Sequence, residues 1–377
     1  MRLFTVSLMI CLCALGALAE DAPAPIDPRM SPDDDAYMNR QAKELLGEVN
    51  DVLGRVTPVL PEPAERRLAL RLVDAVLHEA YAAARPPVQA FYHGRIEKAI
   101  AAMEATKVDD GAVIWKLYNH GFVVRTASVT VGFDLHRGAP GARGIQGPDG
   151  NKTTVETPGF PYPDALADRL VKQCDVLFVS HKHRDHVDTH IIQGFLDQGK
   201  PVVAPPDTLE DSPLYARITH LKREIDLVQE LPVRNGAQTL RVVVFPGQQY
   251  QGGGPMCNVV LVTTPEELSF VHNGDQINDP YPEYQKDFEW IDKVKDSHKV
   301  DVFMTNCWTN DILRMTRGFN PKLVLPGHEN EMGHPVWDRM PYWGDVEFIK
   351  SNYLDLKKEY PVLVMTWGES YHYSAEK

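Results

Sequence analysis

Asp175-Val176-Leu177-Phe178-Val179-Ser180 runs straight into His181-Lys182-His183-Arg184-Asp185-His186, and this stretch decides the fold. Its first half is a short apolar run, the pattern of a buried strand. Its second half sets His181, His183, Asp185 and His186 at the strand's end. On an extended segment, residues two apart point the same way, so His181 and His183 can reach one metal ion. Asp185 and His186 follow at once, and a turn there can aim them at a second ion. Neutral imidazole and carboxylate are good ligands for zinc and similar divalent ions. A polar turn with chance histidines would not gather donors this densely at a strand terminus.

On either side of the motif, other strand-like runs end in further donors. Tyr118-Asn119-His120-Gly121-Phe122 with Val131-Gly132-Phe133-Asp134 reads as a hairpin that ends in Asp. Phe270-Val271-His272-Asn273-Gly274-Asp275 is a strand ending in Gly-Asp, and Leu323-Val324-Leu325-Pro326-Gly327-His328 a strand ending in His. With these pieces in this order, the chain resembles the metallo-β-lactamase superfamily over residues 112–371. The resemblance implies an α/β (α+β) fold, a four-layer αββα sandwich, here behind an N-terminal helical extension. It implies a first metal site of His181 and His183 and a second of Asp185, His186 and His328, with Asp275 between them. Asp185 and Asp275 are also the groups that would orient an attacking water.

One piece departs from the family. A His is usual after a strand, often as Pro-x-x-His, but Pro246-Gly247-Gln248-Gln249 stands there, with Gln249 in place of His. A neutral amide oxygen is a poorer zinc ligand than imidazole, so Gln249 is expected to be a weak or absent ligand. His220 comes too early to replace it. His120 and His334 are candidates for substrate binding, His120 with a structural role as the alternative. His272 should point away from Asp275 by strand alternation. Trp337, Tyr342 and Trp343 are either pocket wall or aromatic core.

The rest of the chain sets the context. Met1-Arg2, the apolar run Leu3 to Gly16 and Ala17-Leu18-Ala19 form a signal-peptide pattern, with cleavage expected before Glu20. The run is shorter than the ~20 apolar residues of a spanning helix. The expectation is therefore an exported protein, periplasmic or secreted, with no stable membrane insertion. Residues 20–110 read as a flexible lead and helical extension, with helices over Tyr37–Leu53, Pro61–Ala84 and Val88–Ala105. Residues 111–377 form the main domain. There a long loop is expected over 137–163, helices over 164–172, 187–198, 208–223, 284–296 and 345–359, and a last strand over 362–366. Cys174, Cys257 and Cys307 are odd in number and far apart, which is no disulfide framework. Asn151-Lys152-Thr153 matches a glycosylation sequon, a short pattern of little weight.

The formal net charge is −13, and losing Arg2 with the leader makes it one unit more negative. Phosphate backbones would be repelled, so nucleic acid is not an expected partner. The expected function is an exported zinc hydrolase with one or two ions, iron or manganese being alternatives. Its substrate would be an ester, lactone, amide or phosphodiester of a small molecule or lipid. Pro246-Gly247-Gln248-Gln249-Tyr250 is a little like the Pro-x-Gln-His-Trp of N-acylphosphatidylethanolamine phospholipases, and the lactonase branch is also similar. Two competing readings are an iron-dependent oxidoreductase on the same fold and a non-catalytic binding protein with a degraded metal site. The sequence sets no oligomeric state.

Overall fold

A computed structural model describes residues 26–138, 141–146, 152–157, 159–249, 254–276, 282–334, 336, 339–342 and 353–374. The leader, Asn151, Trp337 and Trp343 lie outside the described residues. Helices α1 (Pro32–Arg55), α2 (Ala64–Leu77) and α3 (Pro86–Ala105) come first. Ser31 caps α1 by accepting from the Asp34 amide at 3.2 Å, with Pro32 at the first helical position and Asp33, Asp34 and Asp35 in the first turn. That is a helix start favoured by capping, by proline's fixed φ and by the helix dipole together.

Strands β1 (Ala112–Lys116), β2 (Phe122–Arg125) and β3 (Thr130–Phe133) follow, then a hairpin of β4 (Gly141–Gln146) and β5 (Lys152–Thr157). Next are α4 (Asp164–Gln173), β6 (Val176–Phe178), α5 (Thr189–Asp197) and β7 (Val202–Val203). The second half holds β8 (Gln229–Val233), β9 (Gln238–Gln248), β10 (Met256–Thr263), β11 (Ser269–His272), α6 (Val294–Ser297), β12 (Val302–Asn306), α7 (Ile312–Phe319), β13 (Leu323–Gly327), α8 (Tyr353–Glu359) and β14 (Ser370–Tyr373). They build two mixed six-stranded sheets, ordered β14-β1-β2-β3-β6-β7 and β13-β12-β11-β10-β9-β8.

The apolar patterning explains the layers. In β9, Leu240, Val242 and Val244 face the other sheet, where they meet Ile114, Val124, Val131 and Phe178 in one core. Val243 and Phe245 point the opposite way, into a second core with Trp290, Met315 and Phe319. A strand buried on both faces reads as a continuous apolar run rather than an alternating one. The same holds for β6 and β11, which is why strands with helices outside are legible here. The prefix helices share that second core: Leu46, Leu70, Phe91 and Ile96 pack with Trp115 and Trp367.

Strand direction places the site. β3 runs parallel to β6, and β11, β12 and β13 run parallel to one another. β9 lies two antiparallel steps from β11, so it shares that direction. The carboxyl ends of β3, β6, β9, β11, β12 and β13 therefore supply the loops of one edge, where open α/β sheets carry their ligands.

Several local expectations differ from the structure. Residues 208–223 hold turns and a three-residue 3₁₀ segment at Tyr215–Arg217, not a helix; Pro213 falls in the middle of the expected helix, where it removes an amide donor and clashes with the preceding turn. The 137–163 segment is not all loop, since it contains the β4–β5 hairpin. Only Val362 of 362–366 makes a β-bridge, to Val324, and the last strand is β14. α7 was hidden by its short length and polar mixture.

Near the far end of the sandwich, Asp301 accepts from the Ser269 amide at 2.9 Å, the Tyr373 hydroxyl at 3.0 Å and Lys322 Nζ at 3.0 Å. Burial pushes its carboxyl up, but Lys322, the amide and the hydroxyl outweigh it and hold the pKa below 3.8. A depressed folded pKa gives stability that is present above the unfolded value and fades as pH falls toward the folded one. Asp301→Asn should therefore flatten the acid limb of a urea-midpoint profile below about pH 4. A limb as steep as that of the wild type would count against this.

Candidate metal centre

The site grows from strand ends. β6 stops at Phe178, and the chain turns so that His181 and His183 lie with ring centroids 4.7 Å apart. His186 sits 4.2 Å from His181, ring to ring, and 5.2 Å from His328, delivered by β13. Asp275 arrives from β11 through Gly274. A Cβ on Gly274 would meet the Ser180 Cβ at 2.3 Å, and its φ is +50°, so this close approach of β11 to β6 requires glycine. Asp134, Asn119 and His328 also hold positive φ (41°, 53° and 68°), a concentration of unusual backbone around one centre.

Two donor sets result. Asp185, His186, Asp275 and His328 place one ligand atom each within 4.8 Å of one another, as do His181, His183 and Asp275. Asp275 belongs to both. His186 Nε2 lies 3.1 Å from Asp275 Oδ1 and 3.4 Å from Asp185 Oδ2; His328 Nε2 lies 3.4 Å and 3.3 Å from the same two oxygens. His181 Nε2 lies 3.5 Å from Asp275 Oδ2. These three nitrogens are buried, yet none makes a hydrogen bond. Buried polar atoms normally find partners, and three orphans aimed at two carboxylates fit a cation between them.

The charges agree. Burial alone would push His328 down, but Asp275 and Asp185 raise it to about 10. His186 is likewise held well above its ordinary range by Asp275, Asp185 and Asp134 against burial. The second set thus favours positive charge, whereas burial and His186 push His181 down to about 3 and burial lowers His183, leaving them as the neutral imidazoles that zinc, iron and manganese accept.

Groups behind the ligands orient them. His186 Nδ1 donates to Asp134 Oδ2 at 2.7 Å, leaving Nε2 as the ligand atom. Asp134 is fixed by the Ser180 amide at 2.7 Å and the Ser180 hydroxyl at 2.6 Å, and that hydroxyl also accepts from His181 Nδ1 at 3.0 Å. Asn119 Nδ2 donates to Asp185 Oδ2 at 3.3 Å, and Asn306 Nδ2 donates to Asp275 Oδ1. Asp134 and Asn119 stand within the strand-end motifs, but their residue types alone assign them no role. Asp134 was findable, since an Asp at the end of a strand beside β6 must face the histidines. Asn306 offered no signal. Asp134→Asn should weaken metal binding ~10–100-fold, the usual cost of losing a carboxylate behind a ligating histidine. Chelator competition measures it, and an unchanged affinity would refute the role.

The other expected residues separate. Gln249 is buried, and its Nε2 donates to Asp275 Oδ2 at 3.1 Å, while Oε1 has no hydrogen-bond partner. It therefore acts on the shared carboxylate. His120, expected as a substrate contact, is instead sealed at 0% exposure beneath the centre. Its ring packs 4.0 Å from His272, its carbonyl accepts from His272 Nε2 at 2.9 Å, and neither of its ring nitrogens has a hydrogen-bond partner. His272 is structural, pointing away from the ligands. His334 is half-buried, 5.9 Å from His328 ring to ring. Tyr342 is core: it is buried, its hydroxyl meets Thr366, and Lys116 Nζ lies over its ring. His220 binds the Ala204 carbonyl at 2.9 Å, outside both donor sets.

Two facing six-stranded sheets, helices outside and both donor sets on one edge decide the architecture. It is an αββα sandwich, the arrangement that the metallo-β-lactamase resemblance implies. No protein-family model and no curated protein matches the chain. Solved structures with this likeness include a metallo hydrolase from the archaeon Ignicoccus hospitalis, 15% identical, the match covering 70% of this chain and 99% of that one with a TM-score of 0.45. An isothiocyanate hydrolase from Delia radicum gut bacteria is also 15% identical, covering 70% and 100% with a TM-score of 0.46. CmlA, a diiron β-hydroxylase from Streptomyces venezuelae, is 12% identical, covering 71% of this chain and 55% of that one with a TM-score of 0.43. Likenesses this distant decide neither metal nor reaction on a metallo-β-lactamase sandwich, which hosts many chemistries.

Proposed function

We propose that this protein is an exported, zinc-dependent hydrolase of an ester, lactone, amide or phosphodiester in a small molecule or lipid. One observation carries the reading: three buried imidazole nitrogens, none making a hydrogen bond, converge on Asp185 and Asp275. Bound there, a divalent ion supplies a Lewis acid and a water that ionises near neutral pH. The chain's own residues do the rest. Asp275, restrained by Gln249 and Asn306, and Asp185, restrained by Asn119, present fixed carboxylate oxygens that can orient an attacking water. Asp134 and Ser180 keep His186 and His181 in the tautomers that turn Nε2 inward. His334, with Trp308 beside it at 6.4 Å ring to ring, stands next to His328 as the group best placed to meet substrate.

Among the described residues no helix is long and apolar enough to cross a membrane. Export rests on the leader pattern, and N-terminal sequencing of the native protein should begin at or near Glu20. Elemental analysis of the purified protein tests the metal, followed by an ester, lactone, amide and phosphodiester panel. Zinc together with chelator-sensitive hydrolysis of one class is the expected result. Iron with oxygen-dependent turnover would replace the reading by the oxidoreductase one. Metal-loaded protein that binds but hydrolyses none of the classes would replace it by the binding-protein one.

A further inference from the structure

The C-terminal turn of α2 does more than pack. It reaches the segment that leaves β13 with His328, and the contacts cluster on a few residues. Asp74 Oδ1 accepts from Asn330 Nδ2 at 2.7 Å and from the Tyr342 amide at 2.9 Å, with Oδ2 at 3.1 Å from that amide. Arg339 is buried. Its Nη1 donates to the carbonyls of Leu77 at 2.6 Å and Glu79 at 3.3 Å, and its Nε donates to the carbonyl of His334 at 2.8 Å. His78 Nε2 meets the Arg339 carbonyl at 3.2 Å.

The segment so held is under strain. His328 and Asn330 both sit at positive φ, 68° and 55°, although neither is glycine. Such conformations persist only where surroundings over-determine them, and they cluster where geometry is functional. His328 is tied to the sandwich by its amide, which donates to the Asn119 carbonyl at 3.2 Å, and by its neighbours: the Gly327 carbonyl accepts from the Cys307 amide at 3.0 Å, and Glu329 pairs with Lys116. Two residues later, Asn330 is tied to α2. A ligand must be held within about half an ångström of its working position, and here the prefix helix shares in holding it.

We propose that Asp74 and Asn330 are positioning residues of the metal centre, so that α2 sets the placement of His328. This rests on the metal-site reading above. A contact that served stability alone would leave the metal's surroundings untouched, and charge separates the two cases. Asn330→Asp sets a carboxylate against Asp74 and breaks the tie. By charge alone, a carboxylate two residues from His328 would tighten a cation; by positioning, it loosens one.

The test uses full-length protein loaded with cobalt(II), read by chelator competition and by the visible absorption of the bound ion. Asn330→Asp should bind the tighter equivalent ~10-fold or more weakly, with an altered spectrum. Asp74→Asn should stay near wild type, because its amide oxygen can still accept both bonds. The double variant Asp74→Asn/Asn330→Asp re-forms an amide–carboxylate pair with the roles exchanged, and should return to within about threefold of wild type. If Asn330→Asp fails to fold, Asp74→Ala replaces it, with the same expected loss. Wild-type affinity or tighter binding with an unchanged spectrum in the single variant overturns the proposal, as does a double variant no better than the single. Wild-type protein that binds no cobalt would instead bring down the metal-site reading itself.

Discussion

Changing His328 to Ala should remove the tighter of two unequal metal equivalents. The set of Asp185, His186, Asp275 and His328 holds two imidazoles and two carboxylates, whereas His181, His183 and Asp275 lack a fourth strong donor. Losing a ligand costs more than losing a residue behind one, so affinity at that set should fall by more than ~100-fold. Zinc titration against a competing chelator should show one strong and one weak equivalent in the wild type, and only the weak one in His328→Ala. The weakness traces to Gln249, which gives its amide hydrogen to Asp275 Oδ2. Gln249→His should tighten the weak equivalent by supplying an imidazole, although Asp275 then loses a donor. Two equally tight equivalents in the wild type, unmoved by Gln249→His, would show that Gln249 is not the weak point.

Glu369→Ala should produce a comparably large effect on stability. Arg66, buried in α2, donates through Nη1 to Glu369 Oε1 at 2.7 Å and through Nη2 to Oε2, and Arg95 Nη2 lies 3.8 Å from Oε1. The Thr366 amide adds a bond to Oε2 at 2.8 Å. Arg66, Arg95 and Glu369 are all at most 5% exposed, so solvent screens little of this interaction. Removing the carboxylate strands two guanidinium groups in the interior, which typically costs ~3–5 kcal/mol. Equilibrium urea unfolding measures it, and a loss under about 1 kcal/mol, the value of a surface pair, would refute the burial argument.

The sandwich was legible because β6, β9 and β11 are buried on both faces, which writes continuous apolar runs into the chain. The donor residues were legible because metal chemistry restricts their type and strand ends restrict their place. What escaped the reading depends on three-dimensional neighbours. Residues 208–223 carry apolar positions that resemble helical spacing, but Pro213 and the tertiary context make turns. Asn306 is one Asn among many until β12 is set beside β11. His120 shares its residue type with the ligands, and only its depth tells them apart. The helical prefix shows amphipathic periodicity and nothing more, because its hold on Asn330, Arg339 and Tyr342 joins polar side chains to partners far away in sequence, several of them backbone carbonyls and amides.

The pairing of β14 with β1 has a consequence for how the chain comes into being. Tyr373 lies opposite Ala112 and Ser370 opposite Trp115, so the outer edge of the first sheet is completed by residues far from β1 in sequence. Until they pair, β1 presents an open row of amides and carbonyls on that side, and Arg66 and Arg95 wait for Glu369. Pairings this distant in sequence form late. The first sheet therefore closes only when two strands far apart in the chain meet, a step that local structure alone cannot hasten.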